Sequence, residues 1–142
     1  PETHLIPLAI MASMGGRPVK VFGNDYETKD GTAVRDYIHV SDLVSAHAHA
    51  LEYLERGGSS KTFNLGTGVG ASVMEIINLI GQLHGEVNFE FHPRRAGDPP
   101  ILLADPSKAN ELLEWRTQHS DLHNIISRAI KWHESCANNI SN

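Results

Sequence analysis

Arg94, Arg95 and Asp98 share one loop rich in proline and glycine, P-R-R-A-G-D. Two adjacent guanidinium groups on a restrained loop make a diphosphate clamp, and the nearby carboxylate can accept from a ribose hydroxyl or orient an arginine. The plainer alternative is a surface cluster of salt bridges. Arg35 stands where a loop enters an expected strand; its rigid five-donor fork suits phosphate or carboxylate oxygens, or else an ion pair with Asp36 or Asp30. Gly66, Gly68 and Ala71 satisfy G-x-G-x-x-A between an expected strand and an expected helix, with Glu90 at the end of the next strand. Such a turn can hold a dinucleotide pyrophosphate at the helix N-terminus. Two features speak against it: the chain beyond Glu90 does not continue the alternation of strands and helices, and Ser72 with Glu75 forms a capping box that takes the same donors. Nine histidines raise the question of a metal. His47 and His49 point to different faces of one expected helix, with no cysteine or carboxylate to complete a tetrahedral set. His39 alternates with strand neighbours and reads as a packed or hydrogen-bonded residue rather than a base.

The elements that must position these groups follow from periodicity and turn chemistry. Thr3 caps a first helix that tolerates Pro7 near its first turn and stops at Gly15-Gly16. Val19 to Phe22 is a strand, followed by turn residues Gly23-Asn24-Asp25 and Lys29-Asp30-Gly31 and by a second strand, Tyr37 to Val40. Ser41 or Asp42 caps a helix to about Arg56 with Leu43, Ala46, Ala50 and Leu54 inward. Thr62 to Leu65 is expected as a strand, Ser72 opens a helix with Met74, Ile76, Ile77, Ile80 and Leu83 on a broad buried face, and Val87 to Phe91 alternates as a strand. Ile101 to Ala104 is extended, Pro106-Ser107 begins a short helix, Trp115 anchors the core, and Asp121 caps a last helix with Ile126, Ile130 and Trp132 inward.

The chain has 142 residues, net charge -5 and one cysteine, Cys136. Its length suffices for one domain, burying roughly two thirds of the unfolded surface. The acidic balance gives no bulk affinity for nucleic acid or an anionic membrane, so any anion must be bound locally. A lone cysteine rules out an internal disulfide and fits a reducing compartment. No signal peptide or membrane span is expected. A start at Pro1, directly in helical patterning, is what a piece of a longer chain would show.

Five stretches then carry a resemblance that covers nearly all of the chain. They are P-E-T-H-L-I-P at the start, F-G-N-D-Y-x-T-x-D-G-T-x-x-R-D-Y-I-H-V-x-D-L at 22–43, F-N-L-G-T-G-x-G-x-S-V-x-E at 63–75, P-R-R-A-G-D at 93–98 and A-D-P-S-K-A at 104–109. In this order they resemble the C-terminal half of nucleotide-sugar epimerases of the extended short-chain dehydrogenase/reductase family. The resemblance implies an α/β fold, the substrate-binding portion of that family at residues 1–135 without most of the dinucleotide-binding domain, and a disordered tail at 136–142. It implies a cytoplasmic isomerase of galactose metabolism that interconverts UDP-glucose and UDP-galactose by oxidation and reduction at C4. The NAD would be bound by the other half of the parent enzyme.

Carried over by motif, Arg95 and Arg35 fall on diphosphate arginines, Asp98 on a ribose-contacting carboxylate and Tyr37 on a neighbouring site residue. His4, where many relatives carry asparagine, and Leu5 fall on the helix start that meets the diphosphate. Lys20 and Phe22 fall on the strand that holds uracil, and Leu102 lines the pocket beside the C2 substituent of the sugar. The family's Tyr-x-x-x-Lys pair has no match: Tyr26 precedes Lys29 by one residue too few, and Tyr37 and Tyr53 have no lysine at the spacing. No catalytic, cofactor or metal residue is therefore assigned, and these residues alone are expected to be inactive and to self-associate through apolar surface that lacks its partner. A dehydratase or decarboxylase of the same family, or a non-catalytic nucleotide-sugar binding fragment, is the alternative.

Overall fold

β-Strand β1 (Val19–Phe22) and strand β4 (Phe89–His92) pair in parallel, with Val19 opposite Phe89 and Phe22 opposite His92. These positions come from a computed structural model that describes residues 2–140. The fold is mixed α/β, as the sequence implies. Between β1 and β4 the chain forms β2 (Val34–Asp36), α2 (Val40–Glu55), β3 (Gly70–Ser72) and α3 (Val73–Leu83); α1 (Leu5–Ser13) precedes them, and β5 (Ile101–Leu102), α4 (Ser107–Leu112) and α5 (Leu122–Ile140) follow. The three short strands pair in the order β3-β2-β5.

The chain divides into two units, one of Pro1–Arg35, Ala71–Ile101 and Ile126–Asn142, the other of Asp36–Gly70 and Leu102–Ile125. In the first, alternation along β1 buries Val19 and Val21 and leaves Lys20 exposed, the period of two that a strand with one covered face requires. Helix α1 packs on α3 through apolar side chains such as Ile10, Ile76 and Ile80, all fully buried. Burying each such side chain contributes about 1.5–3 kcal/mol. The Ser72–Glu75 capping box is present, with Glu75 N–H donating to Ser72 Oγ at 3.0 Å and Ser72 N–H to Glu75 at 2.8 Å.

The second unit is built around Trp115, which is buried with Ala46, Ala109 and Leu113, while Ile38, Ala50, Tyr53, Phe63 and Leu65 close around them. Its indole N–H donates to the Asp42 carbonyl at 3.1 Å. Asp42 itself is 2 % exposed. Its carboxylate accepts from the N–H groups of Gln118 (3.1 Å) and His119 (2.9 Å) and from the Ser120 hydroxyl (2.5 Å). Burial pushes this carboxyl up, but the Ser120 hydroxyl and the two backbone donors together outweigh it and hold the group below its ordinary value.

Several expected boundaries are corrected. Helix α1 is preceded by His4 without a side-chain cap, not by a capping Thr3. Neither Ser41 nor Asp42 caps α2: His39 does, its Nδ1 accepting from Ser41 N–H at 3.0 Å, while Asp42 is drawn to the 118–120 turn. The second strand ends at Asp36, because Val40 already belongs to α2. Residues 62–65 alternate as a strand would, Phe63 and Leu65 being half-buried, yet they are not in a ladder; alternation reports which face is covered, not whether a neighbouring strand is there to pair. Leu54, Leu83 and Trp132, expected inward, are exposed. Tyr53 takes the place of Leu54 against the core. Helix α5 carries on through Cys136 to Ile140, where a tail was expected, since propagating a formed helix by one residue needs little; Ser141 and Asn142 lie outside the described residues.

Because Asp42 is held below its unfolded value, its contribution to stability is present above about pH 4 and is lost as the pH falls through the folded value. Asp36, which is depressed in the same direction, adds to this. Urea unfolding is expected to shift to lower midpoints between about pH 5 and pH 3, with a shallower acid limb in Asp42→Asn. An unchanged acid limb in that variant would remove Asp42 from this role.

Candidate functional site

Parallel pairing makes the chain leave β1 and β4 at the same end of the sheet. Gly23 extends the ladder, its N–H donating to the His92 carbonyl at 2.9 Å, and beyond it the segments 23–32 and 93–98 run out side by side. The two arginines of P-R-R then go different ways. The Arg94 Nε–H donates to Asp25 at 2.6 Å, and a second N–H reaches the Asp25 carbonyl; the guanidinium lies 4.3 Å from the centre of the Tyr26 ring. The Arg94 hydrogen bond holds the Asp25 carboxyl below its usual range, and the same bond raises Arg94.

Arg95 instead lies over the Phe22 ring, 3.9 Å from its centre. Among the described residues it has no carboxylate partner. Asp98 closes a turn, its N–H donating to the Arg95 carbonyl at 3.2 Å, and its carboxylate pairs with Arg35. A further Arg35 N–H donates to the Val34 carbonyl at 2.7 Å. The first unit thus holds Phe22 with Arg95 and Arg35 with Asp98. The ion pair considered for Arg35 exists, but its partner is Asp98 rather than Asp30 or Asp36.

Asp30 is engaged elsewhere, accepting from the Thr32 hydroxyl at 2.7 Å and from Ser72. Asp36 is the anion that the G-x-G-x-x-A turn receives. Its carboxylate accepts from the Thr67 N–H (3.0 Å), the Thr67 hydroxyl (2.6 Å), the Gly68 N–H (2.9 Å) and, more weakly, the Ala104 N–H (3.3 Å). Burial raises this carboxyl; the Thr67 hydroxyl and the three backbone donors lower it further than burial raises it. A Cβ at Gly66 would stand 2.5 Å from both Asp36 Oδ2 and Ala104 Cβ, so only glycine lets the carboxylate approach. An internal carboxylate, in addition to the capping box, fills the place in which a pyrophosphate was considered.

The remaining site residues are placed as follows. Lys20 is exposed on β1, opposite Glu90 in register. His4 contacts Glu2 at 2.8 Å and Leu5 opens α1. Tyr37, half-buried, and Leu102, exposed on β5, belong to the second unit. A cavity of about 450 Å3 in that unit, lined by His49, Glu52, Tyr53 and Arg56, contains none of the expected site residues. His47 and His49 bond the carbonyls of Leu43 (2.7 Å) and Leu113 (2.8 Å). Sequence reasoning missed Asp25 and Asp36. The one available signal for Asp25 was its position three residues after the end of β1, where a short acceptor can reach a neighbouring loop.

Residues 2–66 match the NAD dependent epimerase/dehydratase family, and the chain as a whole matches the C-terminal part of extended short-chain dehydrogenase epimerases. Within that class the relatives it is similar to are UDP-glucose 4-epimerases, whose C-terminal part it matches. It is 51% identical to the UDP-glucose 4-epimerase of Rhizobium leguminosarum bv. trifolii, over 94% of this chain and 41% of the relative. The enzyme of Lacticaseibacillus casei is 44% identical over 95% of this chain and 41% of its own length. The chain therefore spans about 41% of these curated relatives. Among solved structures, UDP-glucose 4-epimerase from Brucella ovis in complex with NAD superimposes with a TM-score of 0.89 at 51% identity, over 93% of this chain and 41% of that one. The Bifidobacterium longum enzyme in complex with NAD+ and UDP does so with a TM-score of 0.82 at 34% identity, over 95% and 40%.

Hydrogen bonds to a charged group contribute about 1.5–3 kcal/mol each, and leaving buried donors unpaired adds to the loss. Asp36→Ala is expected to destabilise the chain by about 2–4 kcal/mol, read by urea unfolding. A loss below about 0.5 kcal/mol would mean that the 66–68 turn does not depend on this carboxylate.

Proposed function

We propose that the chain is the UDP-sugar-binding part of an epimerase that interconverts UDP-glucose and UDP-galactose. The observation that carries this reading is Arg95, a guanidinium without a carboxylate partner among the described residues, held against Phe22 on the same loop as the Asp98 that orients Arg35. A diphosphate carries more charge than one guanidinium neutralises, and bidentate donors suit its oxygens. In this reading Arg95 and Arg35 hold the diphosphate, and Asp98 keeps Arg35 aimed while accepting from ribose. Lys20 and Phe22 bear the uracil on β1, His4 and Leu5 meet the diphosphate at the start of α1, Tyr37 is a neighbouring site residue, and Leu102 lines the pocket beside the C2 substituent of the sugar. The names of the relatives, and the UDP and NAD+ of the Bifidobacterium longum complex, support the assignment.

NAD, held by the rest of the parent enzyme, would take a hydride from C4 of the hexose and return it to the other face. The residues of this chain would anchor UDP and leave the hexose free to turn. The parent is read as a cytoplasmic enzyme of galactose metabolism; a single cysteine, Cys136, and the lack, among the described residues, of any helix long and apolar enough to cross a membrane accord with that setting. Along α2, Val40, Val44 and Leu51 are each about 60 % exposed and recur near one helical face. Such a stripe on this chain is read as surface that the rest of the parent covers, and in its absence as a route to self-association.

Calorimetric titration of the full-length protein with UDP is expected to show Arg95→Ala and Arg35→Ala each weakened roughly ten- to a hundredfold, from the loss of one charged hydrogen-bonding group. Unchanged affinity in both would remove the diphosphate assignment. Residues 1–142 alone are expected to bind the dye ANS, to associate in sedimentation and to show no interconversion of UDP-glucose and UDP-galactose with added NAD. A compact monomer without dye signal, or measured turnover, would contradict the respective parts.

A further inference from the structure

We infer that Arg94 is not a second half of the anion clamp but the anchor that positions Arg95, and that Asp25, Tyr26 and Gly23 form its socket. The inference rests on the reading of Arg95 as a diphosphate ligand and adds to it four residues that touch no substrate.

The argument is one of charge and of reach. Arg94 and Arg95 are adjacent on one loop, but only one of them has unsatisfied charge. Arg94 donates twice to Asp25, to the carboxylate at 2.6 Å and to the carbonyl. Its guanidinium plane is also backed by the Tyr26 ring at 4.3 Å. A guanidinium fixed on one side by a bidentate acceptor and covered on the other by an aromatic face has little left to offer an incoming phosphate. Those contacts fix the start of the loop. Arg95, one peptide further on, is thereby directed to the opposite side, where Phe22 supports it at 3.9 Å.

The socket has a further requirement. Tyr26 is 5 % exposed and cannot move aside, and Gly23 has φ +87°. A Cβ at Gly23 would stand 2.5 Å from the Tyr26 ring and 2.9 Å from Arg94 Cγ. A side chain there would expel either the ring or the arginine from its place. Gly23, Tyr26 and Arg94 are therefore mutually dependent, and Asp25 supplies the charge that draws Arg94 into the gap. A cavity of about 360 Å3 beside them, lined by Gly23, Asn24, Asp25 and residues 91–94, gives a released Arg94 room to leave.

The test is a mutant cycle in the full-length protein, titrated with UDP. Asp25→Ala should weaken UDP about three- to tenfold, and Asp25→Glu should recover most of the loss. If Asp25 acts only through Arg95, Asp25→Ala combined with Arg95→Ala should be no weaker than Arg95→Ala alone. Multiplying losses, or an Asp25→Ala affinity equal to that of the unaltered protein, would overturn the anchor. If UDP binds the unaltered protein but Arg95→Ala has no effect, the diphosphate reading fails instead. Amide exchange of residues 94–98 without ligand reads the anchor independently of UDP: Asp25→Ala should speed it severalfold. Unchanged exchange would also overturn the proposal.

Discussion

The parallel pairing of β1 with β4 is the constraint on which the candidate site depends. The two strands are far apart in sequence, and a hairpin would have sent their outgoing loops to opposite ends of the pair. In parallel register, Gly23 N–H can continue the ladder to the His92 carbonyl, and the segments after Phe22 and His92 emerge together. Asp25 then meets Arg94, and Phe22 meets Arg95. The crossover between the strands contains helix α3, and α1 packs both on β1 and on α3. The same burial that stabilises the sheet thus fixes where the cations stand.

A second regularity is that three carboxylates near turns, Asp30, Asp36 and Asp42, are used as internal anions. Asp36 receives the N–H groups of residues 67, 68 and 104, and Asp42 those of residues 118 and 119. Asp30 serves Thr32 and Ser72 in the same manner. Converging backbone donors are an anion site whatever supplies the anion. In this chain side chains supply it. That explains why a glycine-rich turn with the spacing of a dinucleotide fingerprint is a structural joint. It also separates Arg35 and Arg94, which are paired with Asp98 and Asp25, from Arg95, which among the described residues has no carboxylate partner.

Sequence by itself determined the helix α3 with its Ser72–Glu75 box, the Asp121 cap of α5, the burial of Trp115 and the strand at Val19–Phe22. These depend on contacts within a few residues or on a period that a covered face imposes, and both can be read along the chain. It also singled out Arg35, Arg95 and Asp98, because charge on a proline- and glycine-rich loop is visible without coordinates. The tertiary structure alone decided the pairing of those charges. Arg35 sits beside Asp36 in the chain, but alternation sends adjacent residues of a strand to opposite faces. Its carboxylate came from Asp98, and Asp36 turned to the 66–68 loop. Likewise His39, not Ser41 or Asp42, caps α2, because Asp42 is claimed by donors more than seventy residues away. Residues 62–65 have a strand's alternation without a ladder. Which of two neighbouring arginines is free, and which carboxylate a guanidinium meets, are settled by long-range geometry that a linear pattern does not contain.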